Sequence, residues 1–191
     1  STDADRDLTA AAERNGLREV HAMPEMVLPG RVEERPPPAG AELGRVDSAA
    51  DAADYWRVAT SSFATNGFPP EVFAFYDNHE GFEADNAAAF LARIDGRPAG
   101  IAMTLVSHGV AGIYWVGCTE EARGRGLGRT VTATAVNAGF DIGAEIASLQ
   151  ASPMGEPIYR RMGFETIFDY RLFMWPPPKE SRLAPPHTIP G

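Results

Sequence analysis

Cysteine and histidine are scarce in this sequence. Its 191 residues include one cysteine, Cys118, and four histidines. A single cysteine excludes an internal disulfide and a cysteine-rich zinc site, and the scattered histidines form no HExxH pattern. The sequence therefore indicates no metal cofactor, and its cysteine content is typical of a cytoplasmic protein.

Positive charge is also limited. Lys and Arg total 17 against 26 Asp and Glu, which gives a formal net charge of −9. A nucleic-acid surface needs clustered positive charge to displace counterions from phosphates, so we expect no nucleic-acid partner. The acidic balance is compatible with a cationic amine substrate, although solubility alone also accounts for it.

Long apolar runs are missing as well. No run approaches the ~20 residues that a membrane-spanning helix requires. The acidic residues 1–7 have no apolar stretch behind them, so we expect neither a signal peptide nor a membrane association. With 44% hydrophobic and 23% charged residues, the chain has the balance of a globular protein.

Two proline clusters divide the chain into three predicted parts. Residues 36–38 and 176–178 are prolines, which fix φ and remove a backbone donor. The parts are an N-terminal appendage (1–35), a main domain (41–175) and a proline-rich tail (176–191). In the appendage we predict a helix over Leu8–Arg14, then short strands at Leu17–His21 and Met26–Leu28.

Hydrophobic patterning in the main domain predicts the order β-α-α-β-β-β-α-β-α-β-β. Asp95-Gly96 between two apolar runs is a strong hairpin signal. The order indicates a mixed sheet with helices on its faces, an α/β or α+β sandwich. The predicted strands are Glu42–Val46, Ala87–Ile94, Gly100–Ser107, Ile113–Cys118, Ile146–Ala151, Phe164–Phe168 and Tyr170–Trp175. The predicted helices run from Asp47 or Ser48 to Phe63, over Phe68–Tyr76, over Thr130–Phe140 and over Pro153–Met162.

A loop rich in glycine and arginine lies between a predicted strand and a predicted helix. Its sequence is Arg123-Gly124-Arg125-Gly126-Leu127-Gly128-Arg129. Alternate glycines let successive N–H groups point one way, and a helix N-terminus adds partial positive charge. The loop therefore suits a pyrophosphate.

Other glycine-rich motifs fit this loop less well. A dinucleotide fingerprint counted from Gly124 requires glycine at its sixth position, where the chain has Arg129. A phosphate-binding Walker loop requires Gly-Lys-Ser/Thr, which is absent. A purely structural turn is the remaining alternative.

Two motifs in the chain resemble those of the GCN5-related N-acetyltransferases (GNAT). Arg123-x-x-Gly126-x-Gly128 is similar to the family's Q/R-x-x-G-x-G/A signature, and residues 157–164 (PIYRRMGF) are similar to its second motif. The resemblance covers about residues 42–175. It implies a mixed, mostly antiparallel central sheet with helices on both faces, and acetyl-coenzyme A (acetyl-CoA) as cosubstrate.

The resemblance also assigns cofactor-binding roles. Backbone groups of Val116, Gly117 and Cys118 would pair with pantetheine, and the amides from Gly124 to Arg129 would bind the pyrophosphate. Ser152 replaces the asparagine usual before the second motif. Its hydroxyl could contact pantetheine or cap the following helix.

Catalytic roles are assigned less completely. Tyr159 matches the family's tyrosine and would protonate the departing thiolate. The strand position that carries a carboxylate base in some relatives corresponds to Gly112, so the base is unassigned. His108 and Glu120 are candidates, with a solvated turn residue and a capping residue as the respective alternatives.

The predicted activity is transfer of an acetyl group to a primary amine of a small molecule or peptide, by direct attack on the thioester. A catalytically silent acyl-CoA-binding module and transfer of a longer acyl group are the alternatives. A homodimer is one option for assembly. The helix–glycine–strand pattern around Gly16 also mirrors that around Gly163, which would make residues 1–35 part of a second, incomplete GNAT-like unit.

Overall fold

The computed structural model describes residues 3–64, 82 and 84–175. The predicted helix over Phe68–Tyr76 and the tail 176–191 lie outside the described residues. The described helices are α1 (Asp3–Arg14), α2 (Ala49–Ala64), α3 (Leu127–Ile142) and α4 (Glu156–Met162). The described strands are β1 (Arg18–Leu28), β2 (Ala41–Arg45), β3 (Ala87–Ile94), β4 (Arg97–Ser107), β5 (Val110–Cys118), β6 (Ile146–Gln150) and β7 (Glu165–Met174).

These strands form one sheet in the order β2-β3-β4-β5-β6-β1-β7. Every described neighbouring pair is antiparallel except β5 and β6, which are parallel. A parallel pair needs a crossover connection, and α3 provides it. The predicted mixed, mostly antiparallel sheet is confirmed.

Helices cover both faces of the sheet. The α3 residues Val131 and Val136 are fully buried in a cluster that includes Ala111 of β5. On the other face, Tyr55 of α2 is fully buried against a cluster that includes Ile101 of β4. Because side chains alternate along a strand, successive residues of β4 and β5 point alternately to the face that carries α3 and to the face that carries α2.

The N-terminal residues contribute a central strand to this sheet. The sequence predicts two short strands here, whereas β1 is one strand of 11 residues that pairs with both β6 and β7. Similarly, the two short strands predicted at the end of the domain form the single strand β7. Pro24 and Asp169, which interrupt the two apolar patterns, are paired with each other across β1 and β7, so the strands pass through these positions together.

The strands β1 and β7 each follow a helix that ends at a glycine with positive φ. Gly16 follows α1 with φ 81°, and Gly163 follows α4 with φ 99°. The helix–glycine–strand order therefore recurs in three dimensions, and its two strands are sheet neighbours. A second GNAT-like unit and the domain boundaries stay predictions.

The last strand is an edge of the described sheet and exposes large apolar side chains. Those at least 36% exposed on β7 are Ile167, Phe168, Tyr170, Leu172 and Met174. The proposed homodimer stays a prediction. Among the described residues, no helix is both long and apolar enough to cross a membrane.

Two helices begin at positions that differ from the prediction. Gly126, with φ 86°, is the N-cap of α3, so that helix begins three residues earlier than Thr130. The α4 helix begins at Glu156 because the amides of Gly155 and Glu156 first form a turn on the Ser152 carbonyl.

Candidate active site

A gap opens between β5 and β6. Their parallel pairing runs from Val110↔Ile146 to Gly112↔Ser148 and is not described beyond that point. A register shift in the pairing with β4 accompanies Trp115, whose φ is 51°. Such an irregularity bends a strand, and here it leaves the second half of β5 without a described neighbour on the β6 side.

The far end of β5 is tied to α2. The amide of Cys118 donates a hydrogen bond to the Ser62 hydroxyl over 3.1 Å. A Cβ atom on Gly117 would lie 2.6 Å from the same oxygen, so this close approach requires glycine. The Cys118 N–H, one of the backbone groups predicted to contact pantetheine, therefore already donates to a protein oxygen.

The glycine-rich loop exposes the N-terminus of α3. Gly124 and Gly126 have φ values of 74° and 86°, and no atom lies within 4 Å of a Cβ built on either. The N-cap Gly126 supplies no side-chain acceptor, and the first N–H groups of a helix have no partner within the helix. The loop is therefore a cradle of donors with open space above it, which suits an anion.

Two arginines of the loop are held by the segment that joins β1 to β2. Arg125 donates to the Ala39 carbonyl over 3.2 Å, and Arg129 donates to the Glu33 carbonyl over 3.2 Å. The same segment is fixed to α3 by Asn137, whose amide exchanges hydrogen bonds of 2.9 and 3.0 Å with the backbone of Val32. The proline-rich connection thus positions positive charge beside the loop.

Tyr159 lies in the core beside the loop. The residue is 7% exposed and lies beside Thr132 in the first turns of α3. Burial raises the pKa of Tyr159 well above its ordinary value, and the neighbouring Cys118 adds to this effect. The phenol is therefore protonated at any physiological pH.

Cys118 is also protonated at neutral pH. Burial raises the pKa of its thiol to about 11, although the nearby Arg123 guanidinium opposes the shift. Because the thiolate is the nucleophilic form of cysteine, this side chain is poorly suited to form an acyl intermediate.

In the described part of the chain, no hydrogen bond or ion pair joins His108, Glu120 or Ser152 to Tyr159 or Cys118. His108 is exposed in the β4–β5 turn, at the opposite end of β5 from Cys118. Glu120 is exposed in a short 3₁₀ turn and lines a separate cavity of about 330 Å³ with Arg57. The Ser152 hydroxyl accepts from the Gly155 amide over 3.2 Å in the turn before α4, whose N-cap is Gly155.

Sequence reasoning missed a buried carboxylate on the face of the sheet that carries α2. Glu25 of β1 is 7% exposed and accepts hydrogen bonds from Ser148 and Gln150 of β6. Beside it is a cavity of about 160 Å³ that Gly112 and Tyr114 also line. The sequence carries no signal for this group, because the predicted break between two short strands falls on Glu25.

A family comparison shows which family the chain belongs to. Residues 33–151, more than half of the chain, match the family described as the acetyltransferase (GNAT) domain. The chain belongs to the GNAT acetyltransferases. No curated protein matches it at a significant level.

Solved structures agree with this GNAT assignment. A GCN5-related N-acetyltransferase from Kribbella flavida is 27% identical with a TM-score of 0.66, over 83% of this chain and 60% of that one. A protein of the same description from Sphaerobacter thermophilus is 20% identical with a TM-score of 0.68, over 91% and 56%. This chain thus corresponds to about three fifths of the length of both proteins.

A shorter protein shares the fold. A predicted acetyltransferase with acetyl-CoA from Clostridium acetobutylicum is 14% identical with a TM-score of 0.57, over 66% of this chain and 91% of that one. At this identity the likeness concerns the fold alone.

Proposed function

We propose that this GNAT protein transfers an acetyl group from acetyl-CoA to a primary amine of a small molecule or peptide. The open, uncapped N-terminus of α3 is the observation that supports the proposal most strongly. It lies next to a buried tyrosine and at the end of β5 where pairing with β6 has ceased. The related fold from Clostridium acetobutylicum, described with acetyl-CoA, adds support.

The residues present fit the cosubstrate. The amides of Leu127, Gly128 and Arg129 would hold the pyrophosphate, because the first turn of a helix offers free donors and partial positive charge. Arg125 and Arg129 would add countercharge. The open space above Gly124 and Gly126 is the space that an anion on this cradle needs.

Acetyl-CoA supplies an activated acyl thioester when bound. The acceptor must reach it as a neutral amine, because a protonated amine has no lone pair to form the new bond. Backbone N–H groups of β5 would stabilise the oxyanion that develops. Tyr159 would donate its phenolic proton to the departing thiolate, and the buried Cys118 thiol takes no covalent part.

Cofactor binding is tested by calorimetric titration with acetyl-CoA and a matched pair of glycine variants. Gly126→Ala and Gly143→Ala lie at the two ends of α3, both with positive φ (86° and 115°) and both with open space around a Cβ. Each should cost about 1–2 kcal/mol of folding free energy through backbone strain. We expect Gly126→Ala to weaken acetyl-CoA binding at least tenfold and Gly143→Ala to leave it unchanged.

Equal effects of the two variants, or no binding by the wild type, would mean that the loop is only structural. Catalysis is then tested by product formation across a panel of primary amines. Tight acetyl-CoA binding without any turnover would favour a silent binding module over an enzyme.

A further inference from the structure

The inferred reaction also needs a group that takes a proton from the attacking amine. Tyr159 is a donor, His108 lies in the β4–β5 turn, and Glu120, next to the loop, is exposed and lines a different cavity. Gly112 has no side chain at the position where some relatives carry a carboxylate. The remaining place to search is the opposite face of the sheet, where the gap between β5 and β6 begins.

Glu25 lies at that point. It pairs directly with Gln150 on β6, and Ser148 pairs directly with Gly112 on β5. Ala147 and Leu149 belong to the core cluster that packs on α3, so the alternating Ser148 and Gln150 side chains lie on the other face. The Glu25 carboxylate accepts from both of them and therefore shares that face.

Gly112 lines the adjoining cavity without a side chain. A Cβ atom on Gly112 would lie 2.5 Å from the Tyr114 hydroxyl, because the tyrosine ring covers this position. A side chain at position 112 would have to displace that ring, and the carboxylate beside the cavity comes from β1, one strand beyond β6.

The surroundings of Glu25 differ from those of an ordinary structural carboxylate. It is 7% exposed, and no ion pair to it is found within residues 3–64 and 84–175. A buried carboxylate without a counterion is costly unless it has other partners, and here the partners are one hydroxyl and one amide. Beside it the cavity of about 160 Å³ has room for a cationic group.

We propose that Glu25 is the general base of the acetyl transfer and that the cavity beside it receives the acceptor amine. This inference rests on the proposed function. Glu25 takes a proton from the ammonium group, directly or through one water, and the amine nitrogen then forms a bond to the acyl carbon. The carbon–sulfur bond breaks and the thiolate takes the proton of Tyr159. The nitrogen loses its second proton, which returns to the phenolate through solvent, and Glu25 releases its proton to solvent as the amide product leaves.

The test compares Glu25→Gln with Glu165→Gln, a control glutamate that is exposed on β7 and also pairs with β1. We expect Glu25→Gln to lower kcat by about 100-fold or more, within the range for general-base catalysis, with acetyl-CoA affinity unchanged. Glu25→Asp keeps a carboxylate and should restore part of the rate. The control should match the wild type, and melting temperatures should agree among all four proteins.

A second readout does not depend on turnover. The wild type, with ¹³C in its glutamate carboxyl groups, is titrated with n-butylamine and followed by NMR. We expect the Glu25 resonance to shift, and the amine to bind at least tenfold more weakly to Glu25→Gln. This measurement decides the matter even where the glutamine variant does not fold.

The outcomes separate the two proposals. Full activity of Glu25→Gln in a protein that acetylates amines would overturn the role of Glu25 and leave the function standing. Acetyl-CoA binding without amine binding or turnover would overturn both the amine site and the acetyl transfer. Amine binding that Glu25→Gln leaves unchanged would move the acceptor site elsewhere.

Discussion

Tyr159 shows how position and protonation state follow from the same contacts. The ring packs against Gly155, where an added Cβ atom would lie 2.7 Å from it. The side chain also lies beside Thr132 near the start of α3. Burial raises the pKa of Tyr159, so the neutral phenol is favoured in the folded state. The stability from this group is complete below the unfolded pKa near 10 and is lost as the pH rises above it.

We expect Tyr159→Phe to reduce kcat by about 10- to 100-fold, because the thiolate loses its proton donor. The acetyl-CoA dissociation constant should stay within about twofold, since the ring and the loop amides are unchanged. Steady-state kinetics and calorimetry on the same preparation separate the two effects. Tyr170→Phe, an exposed tyrosine on β7, is the control.

The pH profile adds a check on the same residue. Because the pKa of Tyr159 is raised, the phenol should not cause an alkaline loss of activity below about pH 10. Unchanged rates in Tyr159→Phe would show that solvent protonates the thiolate and that the tyrosine is only a packing residue.

At this scale the sequence predicts the residues that belong to a contiguous motif. Arg123 to Gly128 and Tyr159 are recognisable because spacing along the chain specifies their chemistry. Glu25 is not, because its partners Ser148 and Gln150 are more than 120 residues away along the chain and are joined to it only by sheet register.

At the scale of elements, the β1–β2 connection contacts both α3 and the glycine-rich loop. Asn137 is 7% exposed, and its amide satisfies both the N–H and the C=O of Val32. Arg125 and Arg129 bind carbonyls of the same segment a few residues later. Loss of the Asn137 contact should therefore affect stability and cofactor binding together.

Asn137→Ala should lower the free energy of unfolding by about 2–6 kcal/mol, because two buried backbone groups lose their partners at about 1–3 kcal/mol each. Urea denaturation measures this loss. Asn86→Ala removes an exposed amide that donates to the Val106 carbonyl and should cost less than about 1 kcal/mol. A similar loss in both variants would contradict the role given to the buried contact.

Local signals predict most elements well. The strand Ala87–Ile94 has the bounds that its apolar run and the Asp95-Gly96 turn predict, and α2 follows its Ser48 cap, whose hydroxyl accepts from the Asp51 amide. The path of the proline-rich connection could not be predicted. The hydrogen bond that anchors it joins residues 105 positions apart.

At the scale of the whole molecule, the N-terminal strand completes the sheet. The sequence predicts an appendage here, because a helix and two short strands cannot enclose a core of their own. In the structure β1 stands between β6 and β7, and Met26 is fully buried in the cluster under α3. Residue pattern shows which segments are strands, but sheet order depends on non-local pairing.

Deletion of residues 1–28 should therefore prevent cooperative folding. It removes the neighbour of both β6 and β7 and the buried side chains of Met26 and Leu28, each worth about 1.5–3 kcal/mol. Deletion of residues 1–14 removes α1 alone and is the control that should still fold. The two truncated proteins are compared by thermal unfolding followed by circular dichroism.

A synthetic peptide spanning residues 15–30 sharpens the comparison. Added to the chain that lacks residues 1–28, it should restore a cooperative transition, because the vacant position between β6 and β7 can accept a strand in trans. A peptide with glutamine at position 25 should restore folding but not amine acetylation. Cooperative unfolding of the shorter chain at the wild-type temperature, without peptide, would show that β1 is dispensable to the sheet.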